Sequence, residues 1–461
     1  MIEAKVSAYI KNKGLINHND TVLIGVSGGP DSLALLAYLN RIKQSYNLTL
    51  VVAHVDHMFR GEESFEDYLF VEKICKEWDI PFEGVRINVP KYIEDTGKNP
   101  QQAARDCRYT FFRDIMEKYS AQKIALAHHM DDQAESVLMN LIRGTSGMAR
   151  IGIPMKRPFA GGYIIRPFLA VTREEILEYC DQMDLKPRID PSNEKDIYTR
   201  NRFRKYILPM IKKENNKALD HIQRFSEDLE QDERYLMMLA EKEYSSLERT
   251  EKEGVLYVSV SSFVDVPKPL QSRVIHLILN YLYQMKPYVF SYVHIECIQS
   301  LLTESNPSIS MQLPHGLHVT KAYDQLLFHF GRLPTITFSK EIRIPGKTAL
   351  PNGAVIETVL LDSVPEKCHE RSQCICILPQ TDAELPLRVR NKRDGDRYQP
   401  KGFTGHKKLK KLFLEHKIPV HERESWPIIV NKNDQIVWIP GLQKNTIEET
   451  PMPAIMIKYI E

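Results

Sequence analysis

Paired cysteines, long apolar runs and net charge are all scarce in this 461-residue chain. The seven cysteines, Cys75, Cys107, Cys180, Cys297, Cys368, Cys374 and Cys376, are odd in number and scattered, which excludes a disulfide framework. No C-x-x-C occurs. The one close pair, Cys374-Ile375-Cys376, has the spacing of two thiols on one strand face. No run of about 18 apolar residues exists to span a membrane. Met1 to Gly14 reads as a short amphipathic helix with Lys5, Lys11 and Lys13, without the apolar core of a signal peptide. A reducing cytoplasm is therefore the expected compartment. With 62 basic and 60 acidic residues the formal net charge is +2, so any nucleic-acid surface has to come from local segregation. Internal repeats and low-complexity tracts are absent as well. An apolar content of 43% suits ordinary globular cores, and the length suits two to four domains.

The most informative stretch present is Val22-Leu-Ile-Gly-Val-Ser-Gly-Gly-Pro-Asp-Ser32. Val22 to Val26 has the look of a buried parallel strand. Ser27 to Ser32 is a tight loop of small residues. Leu33, Leu35, Leu36 and Leu39 then stripe a helix that starts at about Ser32. Strand, Gly-rich loop and helix in this order surround an anion with backbone N–H groups and a helix N-terminus, which suits phosphate. No Gly-Lys-Ser/Thr follows, so this is not a Walker A loop.

The first ~210 residues alternate strand and helix patterns, which implies a parallel sheet covered on both faces. Strands are expected near 22–26, 49–55, 82–87 and 123–127, and helices near 32–44, 64–78, 100–118, 132–143 and 172–183. Ligands of such sheets sit at the carboxyl ends of the strands, where Ser27, His54, Asp56 and His128 should converge. A long helix over about 215–250 leads into a smaller, mainly helical region with helices near 268–285 and 291–303. Residues 335–380 read as short strands and turns, with breakers at Pro345-Gly346 and Pro351-Asn352-Gly353. The expected division is 1–214, 215–334, 335–384 and 385–461.

Two histidines and several acids crowd the end of the fourth strand in His128-His129-Met130-Asp131-Asp132-Gln133-Ala134-Glu135-Ser136. Asp132 is placed to cap the next helix, with Glu135 three residues on. Grouped carboxylates at this position also suit Mg²⁺ between ATP phosphates, or proton uptake from an attacking amine. Arg105 and Arg108 lie one turn apart in Ala104-Arg105-Asp106-Cys107-Arg108-Tyr109. Further arginines follow in Arg188-Ile189-Asp190-Pro191-Ser192-Asn193 and Arg200-Asn201-Arg202-Phe203-Arg204. Guanidinium groups stabilise charge on a transferring phosphorus.

Between 388 and 417 there are 11 Lys/Arg and 3 Asp/Glu, the footprint of a phosphate-backbone partner in an otherwise balanced chain. Arg390, Lys392, Arg393, Arg397, Lys407, Lys408, Lys410 and Lys411 carry this excess, followed by the Pro400-Lys401-Gly402 turn within it and Trp438-Ile439-Pro440-Gly441 beyond it. Leu409, Leu412 and Phe413 give the basic helix an apolar face for a small core of its own.

The loop Ser27, Gly28, Gly29, Pro30, Asp31, Ser32 resembles the pyrophosphate-binding loop of the N-type ATP pyrophosphatases. With Ala53-His54-Val55-Asp56-His57 and Arg60, the His-His-x-Asp-Asp-Gln-Ala-Glu run, Ala-Arg-x-x-Arg-Tyr and Asp-x-Ser-Asn…Arg-Asn-x-x-Arg, the chain resembles the tRNA(Ile)-lysidine synthetase family. The likeness covers the first ~210 residues closely, and the C-terminal module is similar to that family's C-terminal domain. The resemblance implies an α/β fold: a parallel-sheet adenine nucleotide alpha hydrolase-like (PP-loop) domain, a mainly helical middle domain and a small α+β basic C-terminal domain. It implies a carbon–nitrogen ligase that adenylates the wobble cytidine of a tRNA(Ile) with a CAU anticodon and then attaches free L-lysine. ATP would be held by residues 27–32 with His54. Asp31 and Asp132 would bind Mg²⁺, Arg108 and Arg204 would stabilise charge, and Asp131 and Glu135 would take the lysine ammonium. The resemblance leaves a homodimer open. The alternatives are a tRNA thiolase of the same superfamily, a small-molecule synthetase with this loop, and a non-catalytic tRNA-binding protein. The lack of a reactive cysteine pair weighs against the first.

Overall fold

The computed structural model describes residues 2–188, 199–284, 292–331, 337–363, 374–381, 383–399, 405–442 and 452–460. Asp190-Pro191-Ser192-Asn193, Cys368 and Pro400-Lys401-Gly402 lie outside them. The chain divides into two compact units, Met1–Met238 and Leu239–Glu461.

In the first unit, strands β1 (Thr21–Gly25), β2 (Thr49–Asp56), β3 (Phe82–Arg86), β4 (Lys123–Ala125), β5 (Lys156–Phe159) and β6 (Gly162–Ile165) form one sheet in the order β3-β2-β1-β4-β6-β5. Its helices are α1 (Ile2–Lys13), α2 (Pro30–Tyr46), α3 (Glu62–Glu77), α4 (Val89–Thr96), α5 (Pro100–Lys118), α6 (Met130–Ile142), α7 (Arg173–Gln182), α8 (Thr199–Arg202), α9 (Leu208–Glu214) and α10 (Ala218–Ser246), which runs on past the boundary. A π-helical turn, Phe203–Ile207, joins α8 to α9.

Side chains alternate across the central strands. Val22, Ile24, Leu50 and Val52 pack with Leu33, Leu36 and Leu39 of α2 in one core. Leu23, Val51 and Ala53 pack with Phe112, Ile115 and Met116 of α5 in another. A sheet buried on both faces needs apolar residues at both parities, which is why the strands read as unbroken hydrophobic runs. Five strands are parallel, and β5 closes the edge antiparallel to β6. Neither β5, β6 nor α4 was expected from the sequence. β1 lies between β2 and β4, and the chain leaves it in opposite directions across the sheet, so a crevice opens at the carboxyl ends of β1 and β4.

The second unit holds helices α11 (Val260–Val264), α12 (Lys268–Leu282) and α13 (Tyr292–Thr303), as the middle region's helical pattern implies. Beside them stands an antiparallel sheet that the pattern did not reveal. It comprises β7 (Arg249–Lys252), β8 (Val255–Ser259), β9 (Ser308–Gln312), β10 (Leu317–Ala322) and β11 (Gln325–Phe330), ordered β7-β8-β11-β10-β9. Further on come β12 (Ser339–Glu341), β13 (Gly346–Ala349), β14 (Val355–Leu361), β15 (Ile375–Pro379), β16 (Arg388–Arg390), β17 (Arg397–Tyr398), β18 (Lys407–Lys408), α14 (Leu409–Glu415), α15 (Val420–Arg423), β19 (Ile428–Val430), β20 (Ile436–Trp438) and β21 (Ala454–Ile460). They build the sheets β12-β16-β19-β20 and β13-β14-β21-β15 and the ribbon β17-β18. Leu409, Leu412 and Phe413 of α14 are buried against Tyr398, Ile428, Val430 and Ile439, the small core that the basic helix was expected to have.

Candidate active site

The loop after β1 is shaped by two serines and a glycine. Ser27 N–H donates to Ser32 Oγ at 3.1 Å, and Ser32 Oγ donates to the Gly29 carbonyl at 3.1 Å. Gly28 turns the chain at φ +89°, a conformation that a side chain would strain. Gly29 is the N-cap of α2 and has no side chain to offer, and Pro30 has no N–H. The first helical hydrogen bond is Leu33 N–H to Gly29 C=O at 3.0 Å, so the N–H groups of Asp31 and Ser32 precede it and have no acceptor within the helix, the arrangement that suits an anion.

This loop forms one wall of a cavity of about 310 Å³. Gly25, Ala53, Val55 and Leu126 supply an apolar side, and Arg105, Arg108 and Tyr109 of α5 another. Ser27, Gly29, Asp31 and Ser32 all line it, as do His57 and His128. Burial pushes His57 down to about 4, with Arg108 adding to the shift, and His128 down to about 3. Both rings are neutral at physiological pH. Arg108 is open to the cavity while the concave wall surrounds it, and this desolvation lowers its pKa. His54, expected among the ATP ligands, is not in the wall. It is buried, and its Nδ1 meets the Val26 carbonyl at 2.8 Å, so it braces the strand end behind the loop. A strand places i and i+3 on opposite faces, which is how His57 can face the cavity when His54 does not.

At the end of β4, helix α6 begins at Met130, two residues earlier than expected. His129 is its N-cap, and Asp132 at the third helical position accepts the His129 N–H at 3.1 Å. Asp132 is thus not the cap itself. The His129 ring is buried 3.4 Å from Asp132, 3.5 Å from Asp131 and 3.9 Å from Asp31. Burial opposes its charge, but the three carboxylates outweigh burial and raise its pKa. Asp31 differs from its neighbours. Burial raises its pKa, and its Oδ1 is buried without a hydrogen-bond partner.

The remaining acids are already matched to cations. Glu135, with no exposed surface, accepts Arg200 Nε at 2.6 Å and Arg204 Nε at 2.7 Å. Asp132 Oδ1 accepts Arg200 Nη2 at 3.0 Å and Arg204 Nη2 at 3.1 Å. Asp131 accepts the Arg173 N–H at 2.9 Å and pairs with Lys212 Nζ at 2.7 Å. Burial would raise Asp131, yet His129, Lys212 and the Arg173 N–H together hold its carboxyl well below the usual range. The structure therefore brings Asp31, Asp131, Asp132, Glu135 and Arg204 into one cluster and Arg108 into the cavity wall. Lys212 was missed. Nothing in its local sequence marks it, since its partner Asp131 lies on another helix.

Mg²⁺ fits Asp31, whose unpartnered buried oxygen borders the phosphate loop; Mg²⁺ asks for one or two carboxylates beside phosphate oxygens. Asp132 fits less well, because its oxygens are engaged by His129, Arg200 and Arg204. Among the described residues no group of three His, Cys, Asp or Glu side chains is arranged to hold a metal by itself.

The basic module separates into two kinds of cation. Arg390, expected on the nucleic-acid face, is 3% exposed and bonds Asp396 through both Nη atoms at 2.9 Å and Asp434 through Nε at 3.0 Å. It holds the module together. Lys392 pairs with Glu424 at 2.9 Å and Arg393 with Asp434 at 2.6 Å. Arg397 and Lys408, by contrast, stand directly opposite each other on β17 and β18, and both are exposed. Like charges in register cost stability, which makes them a place for an anion. Lys410 and Lys411 are exposed beside them, and Lys407 is half-buried.

A PP-loop domain model matches residues 1–211, and a TilS substrate C-terminal domain model matches residues 387–455. A tRNA(Ile)-lysidine synthase of Geobacillus kaustophilus is 44% identical over 446 residues, covering 96% of this chain and 95% of the relative. Its counterpart from Bacillus subtilis is 41% identical over 461 residues, covering 98% of this chain and 97% of the relative. A solved U34-tRNA thiolase from Methanococcus maripaludis is 22% identical, with a TM-score of 0.42, and covers 50% of this chain and 77% of its own. At this identity and coverage, this chain belongs to the tRNA(Ile)-lysidine synthase family.

Proposed function

We propose that the protein joins free L-lysine to C2 of the wobble cytidine of tRNA(Ile) with a CAU anticodon, changing its codon from AUG to AUA. Cytidine O2 attacks the α-phosphorus of ATP, and pyrophosphate leaves. The lysine ε-amine then attacks C2, the C2–O bond breaks, AMP departs with that oxygen, and the amine's proton passes to a base. The observation that carries this reading is the phosphate loop at the start of α2, whose Asp31 lines the cavity and stands 3.9 Å from the His129 ring, which also meets Asp132 at 3.4 Å. A basic module in the same chain supplies a surface for RNA.

The residues divide the work by position. The N–H groups at the start of α2 hold the departing pyrophosphate. Asp31 would hold Mg²⁺, which when bound neutralises charge on the phosphates, and Asp132 would join it only by giving up Arg200 and Arg204. Arg108 faces the transferring phosphate from the opposite wall. Arg204 meets the reacting groups from the Asp132–Glu135 side. Asp131 and Glu135 receive the lysine ammonium by exchanging one cation for another, since Lys212, Arg200 and Arg204 neutralise them now. Desolvation in such a site lowers the amine's pKa and readies it to attack. Arg397, Lys408, Lys410 and Lys411 hold the RNA backbone. The compartment proposed is the cytoplasm; no helix among the described residues is long and apolar enough to cross a membrane.

Sulfur transfer would need a thiolate. Burial pushes Cys75 up to about 12 and Cys180 up to about 11, the reverse of an activated thiol. The test is AMP release from ATP with tRNA present, with and without free lysine. Lysine-dependent AMP release supports the proposal. Release that needs a sulfur donor instead overturns it.

A further inference from the structure

Beyond the phosphate loop, the far wall of the first unit holds a group of arginines that the chemistry above leaves unused. Arg105 and Tyr109 lie on α5, Arg157 on the edge strand β5, and Arg166 just past β6. The Arg105 guanidinium stands 4.5 Å from the centre of the Tyr109 ring, and that of Arg157 5.2 Å from it. Phe159 meets the same ring edge-on at 5.5 Å. Arg166 is 3% exposed; it donates from Nη1 to the Pro154 carbonyl, while its Nε has no partner. The Tyr109 hydroxyl faces Arg157 and Arg166. Burial would raise its pKa, but Arg105, Arg157 and Arg166 together lower it.

Among the described residues, none of Arg105, Arg157 and Arg166 forms an ion pair with a carboxylate, whereas Arg200 and Arg204 nearby each take two. Three guanidiniums around one phenol repel one another, and a buried cation without a counter-charge is costly. An arrangement of this kind makes sense when an anion completes it. ATP has its own phosphate cradle at the start of α2. Arg157 and Arg166 stand outside the cavity lining, on the antiparallel edge of the sheet. The anion they suit is therefore a second phosphate arriving with the other substrate.

We propose that Arg105, Tyr109 and Arg157, backed by Arg166, form a phosphodiester subsite that holds the RNA strand next to the nucleotide entering the cavity. The proposal rests on the RNA-modifying function above and adds positioning residues to it. Two guanidiniums on a ring offer planar, two-pronged donors to one phosphate, which lysines would not.

The test uses the full-length R157Q variant. Binding of an anticodon stem-loop RNA is followed by fluorescence anisotropy over a salt series without ATP, and ATP affinity is measured without RNA. The expected result is RNA binding weakened roughly tenfold, with a log Kd against log salt slope shallower by about one, and ATP affinity within about twofold of the parent. Weakened ATP binding with unchanged RNA binding would assign the cluster to an ATP phosphate instead and overturn the proposal. No change in either would make the cluster purely structural and overturn it too. If R157Q does not fold, R157K carries the test: it keeps the charge and loses the fork, so the slope should hold while Kd rises about threefold. An unchanged Kd in R157K would contradict the subsite. A parent protein that binds the stem-loop through Arg157 yet makes no lysidine would sink the function and leave the subsite standing. Lysidine formation with RNA affinity indifferent to Arg157 would do the opposite.

Discussion

Arg204 Nε donates to Glu135 Oε1 at 2.7 Å, and Arg200 Nε meets the other oxygen of the same carboxylate at 2.6 Å. Glu135 has no exposed surface, so this carboxylate anchors the segment that carries both arginines. Glu135→Gln keeps the shape and removes the charge. It should cost about 3 kcal/mol in urea unfolding, the usual cost of breaking a buried pair. An unfolding curve matching the parent, with only the lysine KM raised, would assign Glu135 to substrate alone.

Asp131 and Lys212 set an acid limit. Asp131 has a pKa held below its unfolded value, so its contribution is present at neutral pH and is lost as pH falls below the ordinary carboxylate range. Asp131→Asn should lower stability at pH 7 by about 1–3 kcal/mol and flatten the stability loss between about pH 5 and pH 2. Chemical denaturation across pH measures both. An unaltered acid limb in the variant would contradict the pairing.

Gly28→Ala puts a Cβ on a residue at φ +89°. The backbone cost is about 1 kcal/mol, and the loop that presents N–H groups to phosphate shifts. ATP KM should rise several-fold while the tRNA KM holds. A variant with parental ATP KM would show that the loop does not set phosphate affinity.

Arg390 and the pair Lys410 and Lys411 should behave in opposite ways. Arg390→Ala leaves the Asp396 carboxylate without its cation and Asp434 with Arg393 alone, so it should destabilise by about 3 kcal/mol. Lys410→Ala with Lys411→Ala should leave stability within about 0.5 kcal/mol of the parent. The double variant should weaken tRNA binding and make the salt slope shallower by about two. Equal stability loss in both, with no change in salt slope, would place the RNA surface elsewhere.

The sequence was most readable where one local rule decides the structure. The apolar run at Val22–Val26, the small-residue loop and the leucine stripe of α2 together specify a strand, turn and helix, and a phosphate site follows from them. Local rules failed where pairing is distant. β8 reaches β11 across three helices and two other strands, and each strand in that sheet is only four to six residues long. Arg200 and Arg204 find Glu135 from 65 and 69 residues away, so their role as its partners has no local signature. Arg390 sits in a basic run, but its register on β16 turns it into the core. Composition counts charge and is blind to which way a side chain faces.

Mass analysis of nucleosides from tRNA incubated with the protein, ATP, Mg²⁺ and free lysine tests the central claim most directly. Lysine transfer gives a cytidine heavier by one lysine less one water, with AMP and pyrophosphate released in equal amounts. Unmodified cytidine in that tRNA, with AMP formed on some other acceptor, would contradict it.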